Sequence, residues 1–271
     1  MRQIKLFLYL CIFFIFTATN TFAKEGAFTS SVSFVGMSMD YREYDLSGEL
    51  LDSEESSYLD LAGIEISLGY TISEDSSSSS DIKFNLMSLG GKTRYIGSYI
   101  GSGQPYGSVV STTQNTIIDL DVSYQHSEIL KNNFKLYYGL ALGYREWERA
   151  LSASQIEVYS WFSIRPIVGV SATIKEKFNL GISLEYQHGF DTKMTLLNPR
   201  IEFTLGGADI FEVSVPLSYK YKDNIELFLE ATLQKQIIIE SDVKYIGADG
   251  YYEPESTAYN SYLKLGVAYR F

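Results

Sequence analysis

The residues able to do chemistry in this 271-residue chain are few. Asp119 and Asp121 stand at i,i+2 in Ile118-Asp119-Leu120-Asp121-Val122, so an extended backbone puts both carboxylates on one face. Carboxylates held side by side can share a proton and serve as a general base. The sequence holds two histidines, His126 and His188, with Asp191 close behind the second. That is too few imidazoles for a histidine zinc site, and the single cysteine, Cys11, supplies neither a disulfide nor a thiolate cage. No metal site and no cofactor is expected. A balance of 22 Lys+Arg against 33 Asp+Glu, net −11, excludes nucleic acid as a partner, because phosphate neutralisation needs a clustered basic excess.

The elements that must position these residues begin after a leader. Arg2 and Lys5 precede a continuous apolar run, Leu6 to Phe16, and Thr21-Phe22-Ala23 offers small residues at −3 and −1 of a cleavage site. Residues 1–23 therefore read as a secretory signal peptide, too short in its apolar core to span a bilayer, and 24–271 as the mature domain. Cys11 leaves with the leader.

Beyond it the hydrophobic period is two. Leu263, Leu265, Val267, Tyr269 and Phe271 share one face, with Lys264, Gly266, Ala268 and Arg270 on the other; Ile225–Gln236 and Phe211–Lys220 split the same way. A soluble sandwich also alternates, but its strands run to about five or six residues. These runs are roughly twice that, the length a tilted strand needs to cross a bilayer. A closed barrel is the strand architecture that leaves no open edge in lipid. The fold class expected is all-β, a transmembrane antiparallel up-and-down barrel of about ten strands, with eight or twelve as alternatives. The ten are placed near 28–43, 58–72, 81–97, 114–127, 134–149, 159–174, 178–190, 209–220, 225–238 and 259–271.

Connections alternate between a shorter set (73–80, 126–133, 175–177, 221–224) and a mostly longer one (44–57, 98–113, 150–158, 191–208, 239–258), which puts the short turns and both termini in the periplasm. The serine run at 73–80 reads as a flexible turn. Many of the 22 tyrosines fall near strand ends, as interfacial girdles do. Alternation turns Glu65, Lys83, Arg145, Arg149, Arg165, Glu185, Glu212, Glu230 and Lys264 into the lumen, a mixed-charge lining that can neutralise itself. Ten strands imply a packed or thinly hydrated interior, which excludes a wide diffusion porin. The long outer loops carry acids, Asp45, Glu49, Asp52, Glu54 and Glu55 in one and Glu240, Asp242, Asp249, Glu253 and Glu255 in another; such tips attract cations, calcium weakly among them, or basic partners.

Two resemblances follow. The ending Leu265-x-Val267-x-Tyr269-x-Phe271 looks like the terminal strand of Gram-negative outer-membrane proteins, which implies recognition by the barrel-insertion machinery and contact with outer-membrane lipid and lipopolysaccharide. More loosely, Gly143–Arg149, Tyr159-Ser160-Trp161 and Pro216–Tyr219 make the chain resemble the ten-stranded omptin-like barrels and relatives without assigned activity. Omptin chemistry would hold a water between an Asp pair and an Asp/His pair at the extracellular rim. Asp119 and Asp121 match the first pair. His188 and Asp191 match the second poorly, in reversed order, and alternation from Leu180, Ile182, Leu184 and Tyr186 points His188 away from the lumen unless a bulge at Gly189 turns it. His126-Ser127-Glu128 superficially resembles outer-membrane lipid deacylases but stands at the periplasmic end of its strand, where it reads as a polar turn opening. The expected function is a non-enzymatic barrel of the cell outer membrane, porin-like or structural, with a narrow charged lumen. A surface interaction protein using acidic loops is the first alternative, an omptin-like protease the second.

Overall fold

The computed structural model describes residues 28–98, 105–130 and 133–271; the expected leader and Cys11 lie outside them. Thirteen strands follow one another: β1 (Phe28–Tyr44), β2 (Leu50–Glu55), β3 (Leu61–Glu74), β4 (Ser78–Gly97), β5 (Val109–Ile129), β6 (Phe134–Ala150), β7 (Ile156–Ile174), β8 (Phe178–Leu197), β9 (Arg200–Lys222), β10 (Ile225–Ser241), β11 (Lys244–Ile246), β12 (Asp249–Tyr251) and β13 (Glu255–Arg270). Ten of these are long and pair antiparallel with their neighbours, and β13 pairs back onto β1, so the sheet closes. The closing seam runs from Thr29↔Arg270 to Tyr44↔Glu255. The small β11–β12 hairpin stands apart from the ring, between β10 and β13.

Period-two alternation explains the wall. Val32, Phe34, Leu140, Leu142, Leu184, Phe211, Leu229 and Leu263 are exposed large apolar side chains on the outer face. Between them in sequence stand the residues of a buried interior. Hydrocarbon is the solvent that such an outer face matches.

The strands are longer than alternation predicts, 17 residues in β1 and 23 in β9. At about 3.3 Å per residue and a tilt of about 40°, a 20-residue strand climbs roughly 50 Å, twice the apolar band of about 25 Å. The surplus lies at the end expected to be extracellular, where the outer face turns polar: Asp40 and Arg42 on β1, Glu146 and Glu148 on β6. The expected loop 191–208 is accordingly mostly strand, since β8 and β9 meet in a tight turn at Asn198-Pro199. Gly206 and Gly207, inside the expected loop, lie within β9, their bare backbones packed against Ile239.

The second staircase of the wall is built from two pieces. β3 pairs with β1 over Phe28–Met37, and β2 takes over beside Asp40–Tyr44. Between them Ser56–Asp60 leave the sheet, and Ser56 covers the gap by donating to the Met39 carbonyl and accepting, through Oγ, from the Met39 amide at 3.0 Å. The serine run is not a flexible loop: β3 and β4 shorten the turn to Asp75–Ser77. There the Ser77 and Ser78 amides and hydroxyls donate to Asp75, and these bonds hold its carboxyl down at about 2.

Candidate functional site

The inner face stacks three layers in the order of the strand sequences. On β6 it reads Arg145, Trp147, Arg149; on β7, running the other way, Arg165, then Trp161 and Tyr159, then Glu157; on β5, Asp121 and Asp119, then Ile117, then Asn115. A charged belt therefore lies deepest, an apolar septum above it, and a second charged cluster at the mouth where β1, β2, β6 and β7 extend beyond the apolar band.

In the belt, Asp119 accepts from Arg145 Nε at 2.6 Å and pairs with Arg165 Nη1 at 3.0 Å. Asp121 accepts from Asn85 at 2.9 Å and stands 3.8 Å from Arg165. Lys264 bridges Glu65 at 2.9 Å and Glu230 at 3.1 Å. Glu185 and Glu212 face each other across the β8–β9 ladder, and Gln234 donates to Glu212. Arg145 also reaches across the lumen from β6 to Gln236 on β10, 3.2 Å away. Gly143 leaves room for Arg165: a side chain there would collide with its guanidinium. Lys83 shares its face with Asn85 and Met87 but is exposed, toward the periplasmic end.

The septum is formed by Met37, Leu89, Ile117, Trp161, Ile210 and Ile238, all almost completely buried. Trp147 stacks on Tyr159 and meets the edge of Tyr41, each pair at 5.3 Å between centroids.

At the mouth, Arg149 is fully buried and its fork is shared among three carboxylates: Glu54 at 2.8 Å, Glu43 at 2.6 Å and Glu157 at 3.0 Å. Its guanidinium carbon stands 4.3 Å from the Tyr41 ring centroid. These carboxylates come from β2, β1 and β7, so one side chain on β6 ties together walls far apart in sequence. Thr93 and Asn115 complete Glu54, Tyr41 donates to Glu43, and Tyr159 donates to Glu253, in the segment after β12. Glu54 and Glu253, expected as solvated loop acids, are thus interior groups, as is Asp52. The i,i+2 spacing of Asp52 and Glu54 was the available signal; what hid it was the assignment of 44–57 to a loop, where spacing carries no facing rule.

The candidate hydrolytic residues are not brought together. Asp119 and Asp121 stand mid-strand, well inside β5 rather than at its extracellular end, because β5 continues to Val109. His188 is on the outer wall, 59% of its side chain exposed, 3.0 Å from Asp209, which also accepts from Tyr186. The irregularity in β8 falls after Gly189: Ser160 pairs with Lys193 and Phe162 with Phe190, leaving Asp191 and Thr192 opposite Trp161. It re-aims the residues above it and leaves His188 outward. Asp191, with φ 51°, pairs with Lys193 in the open. His126 bonds Ser80 at 2.9 Å near the end of β5, beside the short β3–β4 turn. At the C-terminus, Leu265, Val267, Tyr269 and Phe271 all lie on the lipid-facing side. Among the described residues, no acidic or histidine group gathers in a geometry able to hold a metal ion.

No protein-family model and no curated protein matches the chain. Solved structures do. The outer-membrane protease OmpT of Escherichia coli is 13% identical over 93% of this chain and 100% of its own, with a TM-score of 0.57. The translocator domain of the autotransporter NalP from Neisseria meningitidis covers 94% and 91% at 9% identity and 0.47, and Ail of Yersinia pestis 92% and 100% at 12% and 0.32. The likeness to OmpT is one of architecture, and with the closed ring of ten long strands it establishes the fold as a closed antiparallel up-and-down β-barrel of the kind outer-membrane proteins have.

Proposed function

We propose that the chain is an integral barrel of the outer membrane, exported through its leader, whose lumen is sealed by its own side chains, and that it serves as a structural barrel rather than a diffusion pore. The observation that carries this is the layer at Trp147, Tyr159 and Arg149, where bonds from four strands meet across the interior and leave the guanidinium with no exposure. Burial of that degree is what a packed core shows, not a water-lined channel. The apolar outer band supports contact with outer-membrane lipid, and the outward C-terminal aromatics support presentation to the insertion machinery.

The test is conductance of the refolded barrel in planar bilayers over a range of salts. The wild type should be silent, and replacing Trp147 and Trp161 together by Ala should produce steps favouring cations, given the acidic excess of the lining. Steady wild-type conductance would overturn the proposal.

A second reading, surface interaction, is favoured by the polar extension of the strands beyond the apolar band, with Glu49, Glu55, Glu148, Asp249 and Glu255 exposed and Glu146 half-buried beside them. Binding of a basic partner protein should then disappear when Glu146 and Glu148 become Gln. Against a hydrolase stand the saturation of Asp119 by two guanidinium groups and the outward course of His188. Cleavage of a quenched dibasic peptide, lost in Asp119→Ala, would reinstate it.

A further inference from the structure

The outer wall is not uniform. Across β7, β8, β9, β10 and β13 it carries an apolar groove of about 800 Å³. One bank is the row of paired residues Val168, Leu184, Val213 and Leu233, which ends at Ser261. The other bank, two residues further along each strand toward the mouth, is Tyr186, Phe211, Lys235 and Tyr259. Leu184, Val213, Leu233 and Phe211 are all exposed. Between the banks Glu185, Glu212 and Gln234 turn their side chains to the lumen, so the floor is backbone. A spacing of two residues sets the banks roughly 7 Å apart, and five adjacent strands make the groove roughly 19 Å long. Such a channel takes one extended hydrocarbon chain and not two abreast.

Its charge is as particular as its shape. Lys235 is the cation of the groove, near the β13 end, and apolar side chains surround its position: Leu233 and Ile237 on its own strand, Phe211 and Tyr259 opposite it on the two neighbouring strands. Its ammonium stands 5.8 Å from the Tyr259 ring centroid. Among the described residues no carboxylate pairs with it. The acid closest in register, Asp209 on β9, already accepts from Tyr186 at 2.7 Å and bonds His188 at 3.0 Å. A cation on a wall that faces hydrocarbon is unfavourable unless an anion meets it there or its stem carries the charge out to water.

We propose that this groove is a binding site for a single-chain anionic amphiphile, a long-chain fatty acid, whose tail lies along the groove toward Val168 and whose carboxylate is held by Lys235 beside the Ser261 and Tyr259 hydroxyls. One ammonium matches one negative charge, and the single-file width matches one tail. A two-chain phospholipid would leave its second chain outside. The site goes beyond the sealed-barrel reading and requires of it only that the outer wall faces hydrocarbon.

The test uses the full barrel in nanodiscs of phosphatidylcholine, titrated with stearic acid carrying a nitroxide near its chain end, at pH 9, where carboxylate and Lys235 are both charged. Electron paramagnetic resonance should show an immobilised component that saturates. Lys235→Gln should weaken it roughly tenfold or more, and the methyl ester of the same probe should bind the wild type as weakly as the acid binds that variant. Val213→Trp, which fills the groove from its outer bank, should abolish the component while leaving the urea midpoint of the barrel almost unmoved. Immobilisation that rises without saturating, that ignores both substitutions, or that is equal for acid and ester would overturn the site. Displacement of the probe by phosphatidylglycerol as readily as by unlabelled stearic acid would overturn the single-chain assignment. Conductance of the wild-type barrel would bear on the sealed lumen alone.

Discussion

Replacing Arg149 by Met tests the packing of the lumen most directly. Met matches much of the aliphatic stem but removes the charge from a site where Glu43, Glu54 and Glu157 converge within 3.0 Å. Breaking a buried ion pair from one side costs about 3–5 kcal/mol, because the abandoned charge stays in a poor solvent. Three charge-assisted bonds at about 1.5–3 kcal/mol each bracket that from above, the shortfall being the desolvation that Arg149 no longer suffers. At about 4 kcal/mol the folded population falls roughly a thousandfold relative to unfolded, a large part of a typical domain's stability. Urea unfolding of the refolded barrel, followed by tryptophan fluorescence, reads this well, since Trp147 packs on the cluster. Adding Glu54→Gln to Arg149→Met should recover at least about 1 kcal/mol over additivity. A loss below about 1 kcal/mol, or no coupling between the two substitutions, would refute the claim that Arg149 is held by its carboxylate partners in a dry site.

Other perturbations separate the layers. Asp119→Ala strands Arg145 and Arg165 together and should cost about 3–5 kcal/mol in the same unfolding assay, whereas His188→Ala, at an exposed pair on the outer wall, should cost less than about 1 kcal/mol. Gly143→Ala places a methyl where the Arg165 guanidinium lies and should lose about 1–3 kcal/mol by overpacking, with recovery when Arg165 is shortened to Lys. Deleting Phe271, which is exposed and packs beside Tyr269 at 4.8 Å, should lower the amount of barrel inserted in cells while leaving refolding into detergent nearly unchanged; equal loss in both would make Phe271 a packing residue instead.

The wall was legible because hydrocarbon on one side and a lumen on the other impose a strict two-residue period, as in Leu263 to Phe271. That logic placed Arg145, Arg149 and Lys264 inside and turned His188 out. It failed above the membrane. There both faces are polar, so β2, the upper halves of β8 and β9 and the acids Asp52, Glu54 and Glu253 carry no hydrophobic alternation. Only pairing with a distant strand decides which of them face inward. The bulge at Asp191 was equally hidden, since it depends on how β8 meets Trp161 on β7.

The seam between β1 and β13 has a consequence for biogenesis. Thr29 on β1 meets Arg270 on β13, so the ring cannot shut until the first and last long strands of the sheet are both present. Every earlier stage exposes two raw edges and a greasy exterior with no membrane around it. Long-range closure of this kind is slow, which makes protection of the unclosed sheet a requirement set by topology, whatever the finished barrel does.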